Sequence, residues 1–398
     1  MGNRDLIEKT FEKGGGIFRL NPVFVPRPFG KAGGRLKLHP DDYYALGLER
    51  GSIKERWFSS TIAAQNGPLA AADEGLSYVA TDYTSSQKFS LKEAVDELGA
   101  ALIGETLVKK YGGWPMYSKF FDFYNPLFHH VHLRHEHAAL VGKLGKPESY
   151  YFPPQYNNHL GECNATYFGF DPSTSPEEVK QRLRDYNKGD TRITELSRAY
   201  RITLGTGWYT PAGVIHAPAS VLTYEPQWNS DVNSVQENVV SGEIYPRNFL
   251  VDECPPEKKD DIDYIFGLLD WPKNIDPDYK KHYFRPPRVH TKDAAHIEKW
   301  VSYANDGYFC AKELTVSPGQ TVTVKDGAAY GLICTQGRGT LNALTIEAAT
   351  LLRFGQQSSD EFFVSEDTAQ KGVTLHNQSP VEPLVILKHF GPNHPEMP

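Results

Sequence analysis

The stretch PAGVIH at 211–216 and the stretch HVH at 130–132 decide how this sequence folds. In the first, the proline fixes φ and the glycine permits a tight bend, so that His216 stands at the start of the next strand. In the second, His130 and His132 are two residues apart, and side chains at that spacing point to the same face of a strand. The two stretches therefore predict imidazoles that aim at one point inside a β-barrel.

A carboxylate lies between these stretches, in the segment Lys146-Pro147-Glu148. Glu148 would complete a four-ligand set with His130, His132 and His216. Imidazoles and a carboxylate suit zinc, manganese, iron or nickel, and nothing in the set selects a thiolate-preferring ion. A single histidine in a strand is more often a core or surface residue. Three such segments in this order, however, resemble the metal signature of cupin barrels.

The composition indicates an enzyme of the cytoplasm that acts on a small molecule. The chain has 398 residues and a net charge of −7, and its basic residues form no run that would suit nucleic acid or an anionic membrane. No apolar stretch reaches the length of a membrane span, and no signal-peptide core follows the first residues. The four cysteines lack metal-binding spacing, which is typical of reduced thiols.

The length predicts two domains, because it exceeds what one hydrophobic core normally organises. We expect a metal-binding barrel with helical insertions at 1–253, a connection with a short helix at 254–288, and a second β domain at 289–398. The second domain contains no His-x-His segment, so we expect no metal site there. Helices are predicted at 91–109, 134–144 and 176–186 from apolar spacing and capping residues.

The chain resembles the type I phosphomannose isomerases over most of its length. The segment 119–122 is similar to the strand before the family's metal motif, and 130–132 occupies that motif. The segment 145–151 is similar to the family's Lys-Pro-Glu block, and 209–217 to its most recognisable stretch. Glu225 and the later Asn229-Ser230-Asp231 stand where the family has a glutamate and a Ser-Asp pair.

The resemblance implies a mostly β fold, with a jelly-roll cupin barrel that binds metal and a second, cupin-like β domain. It also implies an isomerase that interconverts an aldose and a ketose through an enediolate. One divalent ion would assist, zinc in the first place and manganese or iron as alternatives. Lys146 and Glu225 are the candidate catalytic residues, and His137 is a further candidate base. Four aromatic residues could stack on a sugar ring: Tyr151, Trp208, Tyr209 and Trp228.

Three departures from the family concern the ligands and the substrate. His130 stands where the family has a glutamine ligand. Phe128 replaces a serine that helps hold the substrate phosphate, and an arginine expected within 232–236 is missing. A phosphate dianion needs charge-assisted donors, which an aromatic ring does not supply. The sequence therefore predicts a sugar that carries no phosphate.

Some alternatives stay open at this point. Glu136 follows His132 at the spacing common in simple cupins and competes with Glu148 for the fourth ligand position. We favour Glu148, because 134–144 resembles the helical insertion that precedes the family's glutamate ligand. The same ligands also serve epimerases, lyases and oxygenases, and a non-catalytic carbohydrate-binding protein would keep them too. The identity of the sugar and the oligomeric state are undetermined.

Overall fold

A computed structural model describes residues 3–81 and 88–398, and mostly β structure is found there, as predicted. The helices are α1 (Asn3–Lys13), α2 (Leu91–Leu98), α3 (Ala100–Ile103), α4 (Glu105–Tyr111), α5 (His135–Ala139), α6 (Pro176–Arg184), α7 (Asn248–Val251), α8 (Ile262–Gly267), α9 (Trp271–Asn274), α10 (Tyr279–Tyr283) and α11 (Glu366–Lys371). Short 3-10 helices occur at Pro40–Asp42, Leu48–Arg50, Ile193–Leu196 and Pro256–Lys258.

The strands, in chain order, are β1 (Ile17–Arg19), β2 (Val23–Pro26), β3 (Ile53–Phe58), β4 (Tyr78–Ala80), β5 (Lys88–Ser90), β6 (Met116–Phe121), β7 (His130–Val131), β8 (Glu148–Tyr151), β9 (Ala165–Phe170), β10 (Ser197–Arg201), β11 (Gly207–Thr210), β12 (Ile215–Ala217), β13 (Thr223–Trp228), β14 (Ser234–Val235), β15 (Val239–Val240), β16 (Glu243–Ile244), β17 (Phe284–Arg285), β18 (Arg288–Lys292), β19 (His296–Ser302), β20 (Cys310–Val316), β21 (Thr321–Val324), β22 (Tyr330–Gln336), β23 (Arg338–Leu341), β24 (Leu344–Glu347), β25 (Glu361–Val364), β26 (Val373–Asn377) and β27 (Leu384–Phe390).

The first β-sandwich pairs a seven-stranded sheet with a five-stranded sheet. The larger sheet has the order β17-β11-β8-β13-β6-β3-β2, and the smaller has the order β10-β9-β12-β7-β14. Phe121 and Tyr150 from the larger sheet pack against Phe168 from the smaller one in a buried cluster. Removing such apolar surface from water stabilises the sandwich. The space between these two sheets is where the sequence predicts the metal ligands.

The second β-sandwich is built from the C-terminal part of the chain with one strand from the N-terminal part. Its seven-stranded sheet has the order β1-β25-β22-β27-β20-β19-β18, and its four-stranded sheet has the order β21-β26-β23-β24. Leu314 and Ile386 from the larger sheet share a buried cluster with Leu341 and Leu375 from the smaller one. Strand β1 pairs with β25 at the edge of the larger sheet.

The two seven-stranded sheets pack face to face, so the sandwiches share a buried layer. Phe58 and Phe120 from the first meet Val301 and Leu387 from the second. Polar contacts cross the same layer. The Tyr151 hydroxyl, for example, donates to a carboxylate oxygen of Glu313 at 2.7 Å.

The predicted helices are present, but all three are shorter than the sequence pattern indicates, α6 by only two residues. The region 91–109 is divided among α2, α3 and α4, because Gly99 and Gly104 adopt positive φ values of 49° and 84° between them. The region 134–144 is helical only in α5 and continues as turns. Helix α6 begins as predicted, with the reciprocal capping box of Ser175 and Glu178.

The segment at 254–288 packs against the first sandwich. Ile265 and Leu268 lie in a buried cluster beside the five-stranded sheet, and Tyr279 packs on Phe168 and Trp208. Strand β17, inside this segment, pairs with β11. The division at 253 and 288 stays a prediction, since β1 and β17 each join a sheet made mainly from another part of the chain. Within the described residues, no helix is long and apolar enough to cross a membrane.

Candidate metal centre

Two neighbouring strands of the five-stranded sheet bring three histidines together. In the pairing of β7 with β12, His216 lies opposite His130, and His132 follows on the same face of β7. The ring centroids of His130 and His216 are 4.1 Å apart, and those of His132 and His216 are 5.0 Å apart. All three side chains are buried, and their potential ligand atoms lie within 4.8 Å of one another.

The turn before His216 is fixed by its glycine. Gly213 has a φ of +87°, a value that side chains other than glycine rarely adopt, and a Cβ there would lie 2.9 Å from Cδ of Arg134. The amide of Gly213 donates to the carbonyl of His132 at 2.8 Å. The turn is therefore tied to the strand that carries the other two histidines.

Backbone carbonyls fix the orientation of each imidazole. Nδ1 lies 3.1 Å from the Phe128 carbonyl in His130, 2.7 Å from the Val232 carbonyl in His132, and 2.9 Å from the Val214 carbonyl in His216. A carbonyl only accepts, so Nδ1 must carry the hydrogen and the Nε2 lone pair faces the interior. Burial lowers the pKa of His130 well below its ordinary value and that of His132 to about 4, which keeps both neutral.

Glu148 faces these imidazoles from the opposite sheet, at the start of β8. Its Oε2 lies 2.8 Å from Nε2 of His132, and its Oε1 lies 3.0 Å from Nε2 of His216. Burial opposes its charge, but attraction from His132 and Lys146 outweighs burial and holds the pKa of Glu148 well below its ordinary value. The carboxylate therefore completes a buried set of three imidazoles and one carboxylate.

This donor set fits a divalent cation. Neither oxygen of Glu148, nor Nε2 of His216, has a hydrogen-bond partner among the described residues. Buried polar atoms normally have such partners, because leaving them unpaired costs about 1–3 kcal/mol each. Nε2 of His132 lies 3.1 Å from Nζ of Lys146, whereas the lone pairs of His216 and Glu148 converge without sharing protons, as a metal ion requires.

Lys146 and Glu225 lie beside this set. Nζ of Lys146 is 2.9 Å from Oε2 of Glu148 and 3.2 Å from Oε1 of Glu225. Burial opposes the lysine charge, but the Glu148 and Glu225 carboxylates outweigh it and raise the pKa of Lys146. Burial and the charge of Glu148 raise the pKa of Glu225 to about 8. The pair thus combines a charged ammonium with a carboxyl group that holds a proton near neutral pH.

A chain of buried ion pairs continues from this point, and sequence reasoning did not identify it. Nζ of Lys119 lies 3.3 Å from Glu225 and 3.5 Å from Glu55, and Arg27 lies 3.0 Å from both Glu55 and Asp231. The signal that could have found it is the occurrence of charged residues inside strands that are otherwise apolar, as in Met116–Phe121.

Most of the remaining pocket wall is apolar. Phe29, Phe123 and Phe128 line it together with Leu127 and Pro218. The ring of Phe128 presents its edge to the ring of His130, with 5.5 Å between the centroids. The family resemblance predicts a phosphate-binding serine at position 128, and the structure has a buried aromatic ring there.

The other candidate residues lie elsewhere. The Glu136 side chain is 62% exposed and pairs with Arg134 at 3.0 Å on the surface, away from the imidazoles. His137 is half-buried against Tyr264. The four aromatic residues expected to stack on a sugar belong to packed clusters outside the pocket walls: Tyr151, Trp208, Tyr209 and Trp228.

Comparisons with known proteins find structural but not sequence relatives. No protein-family model matches the sequence, and no curated protein matches it. The mannose 6-phosphate isomerase from Bacillus subtilis superposes with a TM-score of 0.62 at 16% identity, covering 94% of this chain and 99% of that one.

Two further solved structures give the same result. A zinc-bound mannose 6-phosphate isomerase has a TM-score of 0.62 at 13% identity, and a variant of phosphomannose isomerase from Salmonella typhimurium has 0.60 at 12%. Both comparisons cover 94% of this chain and 99% of the other. The predicted fold class is thereby confirmed: over nearly its whole length this chain has the cupin-type fold of the mannose-6-phosphate isomerases.

Proposed function

We propose that this protein is a metal-dependent sugar isomerase that interconverts an aldose and a ketose, and that its substrate carries no phosphate. The observation that supports this best is the convergence of four buried donor groups, with Lys146 and Glu225 beside them. The fold shared with mannose-6-phosphate isomerases agrees with the proposal. At such low identity the shared fold does not establish the function, so the proposal rests on the side chains of the site.

His130, His132, His216 and Glu148 would hold the ion. Zinc is our first choice, since a structural neighbour is zinc-bound, and manganese or iron would also suit these ligands. A divalent ion bound there supplies Lewis-acid stabilisation of the negative charge that develops on the sugar oxygens during the reaction.

Glu225 is our candidate for moving the proton. In an aldose-to-ketose conversion, a base removes the hydrogen from C2 and the electron pair forms the C1=C2 bond of the enediolate. A proton is then delivered to C1, while the O2 hydroxyl proton moves to O1. Glu225 suits this task by position, because it is a buried carboxyl group beside the four donor groups and lies 3.2 Å from Nζ of Lys146. Lys146, held in its charged form by Glu148 and Glu225, would donate hydrogen bonds to the sugar oxygens.

The charge balance of the pocket supports a substrate without phosphate. Three cations line it, Arg27, Lys119 and Lys146, and each contacts two acidic side chains. The acidic side chains are Glu55, Glu148, Glu225 and Asp231. A phosphate dianion needs cationic or hydrogen-bond donors of its own, and these cations are already engaged by the protein.

The test is a substrate panel with the protein loaded separately with zinc, manganese and iron(II). Free aldoses and mannose 6-phosphate are incubated in deuterated water and followed by proton NMR. We expect one or more neutral aldoses to be converted to the ketose, and mannose 6-phosphate to react more slowly than the best of them. Protein stripped with a chelator is the control.

Other outcomes identify other functions. Efficient turnover of mannose 6-phosphate would rule out the proposed substrate class. Inversion at C2 without ketose formation would indicate an epimerase, a cleaved product a lyase, and oxygen consumption an oxygenase. Sugar binding without any reaction would indicate a non-catalytic carbohydrate-binding protein.

A further inference from the structure

The candidate site adjoins a second, outer pocket, and we call the stretch that the two pockets share the neck. Five residues line both the inner pocket at the imidazoles and the outer depression next to it: Arg27, Phe29, Phe128, Asp231 and Asn233. A sugar whose reacting carbons lie at the imidazoles would extend its remaining carbons through this neck. The chemistry of the neck therefore decides which tail the site accepts.

The charged groups of the neck form ion pairs within the protein. Nη2 of Arg27 lies 3.0 and 3.1 Å from the two oxygens of Asp231 and 3.0 Å from Oε2 of Glu55. The backbone amide of Gln65 also donates to Asp231, at 3.0 Å. Arg27 and Asp231 are only 7% and 8% exposed. Breaking such a buried pair costs several kcal/mol, so a ligand does not gain by competing for it.

One wall of the neck is aromatic and tightly packed. The Phe29 and Phe128 ring centroids are 5.0 Å apart, and Phe29 stacks on Phe123 at 5.9 Å with a 7° angle between the planes. Behind them, Phe128 packs edge-on against Tyr245 at 4.9 Å. Such rings are held in place and offer an apolar surface to the C–H bonds of a sugar.

The other wall presents a carboxamide. Strand β14 pairs with β7 so that Ser234 lies opposite Val131, and continuing this register sets Asn233 opposite His132. The carbonyl of the preceding residue, Val232, holds Nδ1 of His132 at 2.7 Å. The Asn233 side chain lines the neck and forms no hydrogen bond with any residue that the structure describes. Its donor and acceptor are thus available to a ligand.

We infer that the neck selects the uncharged, hydroxyl-bearing tail of an open-chain hexose, with Asn233 as the residue that hydrogen-bonds the terminal hydroxyl group. Phe29 and Phe128 pack on the C–H bonds of the same tail, and the closed Arg27–Asp231 pair leaves no charge for a phosphate. This inference rests on the proposed isomerase function and makes it specific, because it names the end of the sugar that Asn233 recognises.

The test compares hexoses with the matching sugars that lack the terminal hydroxyl group. The pairs are D-mannose with 6-deoxy-D-mannose, D-glucose with 6-deoxy-D-glucose, and D-galactose with 6-deoxy-D-galactose. For the best pair we expect wild-type kcat/KM to favour the hexose by about tenfold, the scale of one net hydrogen bond. In Asn233→Leu the two sugars should have about equal kcat/KM. The kcat/KM for the hexose should fall, while that for the 6-deoxy sugar should stay unchanged.

Binding provides a second readout that does not depend on turnover. Calorimetry with the hexitol that corresponds to the best hexose should show about tenfold weaker binding to Asn233→Leu than to the wild type. The control is Asn187→Leu, since Asn187 is exposed and lies outside the pocket. Asn233→Ala repeats the test if the leucine variant does not fold.

Each outcome is decisive. An unchanged hexose preference in both Asn233 variants overturns the role of Asn233 but leaves the isomerase function intact. A wild type that prefers the 6-deoxy sugar, or the phosphorylated hexose, overturns the inference as well. A fully metal-loaded wild type that converts another neutral aldose but none of these sugars overturns the inference alone. One that converts no aldose of the panel overturns the proposed function, and the inference falls with it.

Discussion

Both β-sandwiches bury charged side chains between their sheets, yet the two clusters are built differently. In the first sandwich, His130, His132 and His216 converge beside the Glu148 carboxylate. Glu148 and Nε2 of His216 have no hydrogen-bond partner in the part of the chain that the structure describes. In the second, Lys388 lies 2.5 Å from Glu298 and 2.6 Å from an oxygen of a neighbouring aspartate, Asp326.

The second cluster balances its charges with lysines. Lys312 also contacts Asp326, at 2.7 Å, and Glu298, at 3.3 Å, so that two lysines neutralise two carboxylates. These lysines are 0% and 1% exposed, and they hold the pKa of Asp326 below its ordinary value although burial opposes this. The comparison shows that buried charge alone does not indicate a binding site. What distinguishes the first cluster is that three imidazoles converge on one carboxylate.

The largest expected effect comes from removing one of the converging imidazoles. His216→Ala should lose nearly all bound metal and reduce turnover to background, because a tetrahedral set with one ligand missing binds much more weakly. Metal analysis after dialysis and the NMR assay measure both. His137→Ala is the matched control and should keep metal and turnover, since His137 lies apart from the cluster. Full metal content in His216→Ala would contradict the assignment.

Substituting a lysine of the second cluster should lower the stability of the protein. Lys388→Met leaves Glu298 and Asp326 with a single lysine, so the free energy of unfolding in urea should fall by about 3–5 kcal/mol. Metal content per folded chain should stay unchanged. The control is Lys325→Met, at an exposed position next to the cluster, with an expected change within about 0.5 kcal/mol. A loss below about 1 kcal/mol in Lys388→Met would show that this cluster contributes little.

Lys146 and Glu225, beside the imidazoles, should affect turnover and not metal binding. Lys146→Met and Glu225→Gln should each lower turnover by about a hundredfold or more, the scale of removing a general acid or base. Metal content should stay near that of the wild type, because the four donor groups are unchanged. Loss of metal in Glu225→Gln would instead make Glu225 a support for the ligands. Normal turnover in both variants would remove them from the reaction.

The smallest expected effect is on the pH dependence of stability, and it arises in the layer between the sandwiches. There one arginine, Arg56, contacts two acidic side chains. Arg56 forms two 2.8 Å contacts with Asp360 and lies 3.4 Å from Glu361. Burial outweighs the attraction of Arg56 and raises the pKa of Glu361 from 4.5 to about 8. The unfolded chain therefore loses this proton at lower pH than the folded chain, and the stability contributed by Glu361 declines as pH rises from about 4.5 to 8.

Glu361→Gln removes this decline. Between pH 6 and pH 7 the difference in unfolding free energy between wild type and variant should change by about 1 kcal/mol, close to the limit of 1.4 kcal/mol per unit for one proton. The variant should gain relative to the wild type at the higher pH. Urea titrations at both pH values provide the measurement, and parallel pH profiles would contradict the raised pKa.

Local pattern was sufficient for several features of this protein. The spacing of His130 and His132, the turn before His216 and the capping box of α6 each depend on a few neighbouring residues, and the structure contains all three arrangements. The helix expected at 91–109 was wrong in its continuity. Two glycines with positive φ divide it, and apolar spacing does not record backbone dihedral angles.

What the sequence determined alone is therefore local: which residues share a strand face, where helices begin, and which side chains could donate to a metal. Only the tertiary structure decided which distant residues meet. It set Lys146 against Glu225, closed Arg27 on Asp231, buried Lys312 and Lys388 with their carboxylates, and joined β1 to β25. The physical reason is that strand pairing over long sequence separations depends on the packing of whole sheets, which no short stretch of residues encodes.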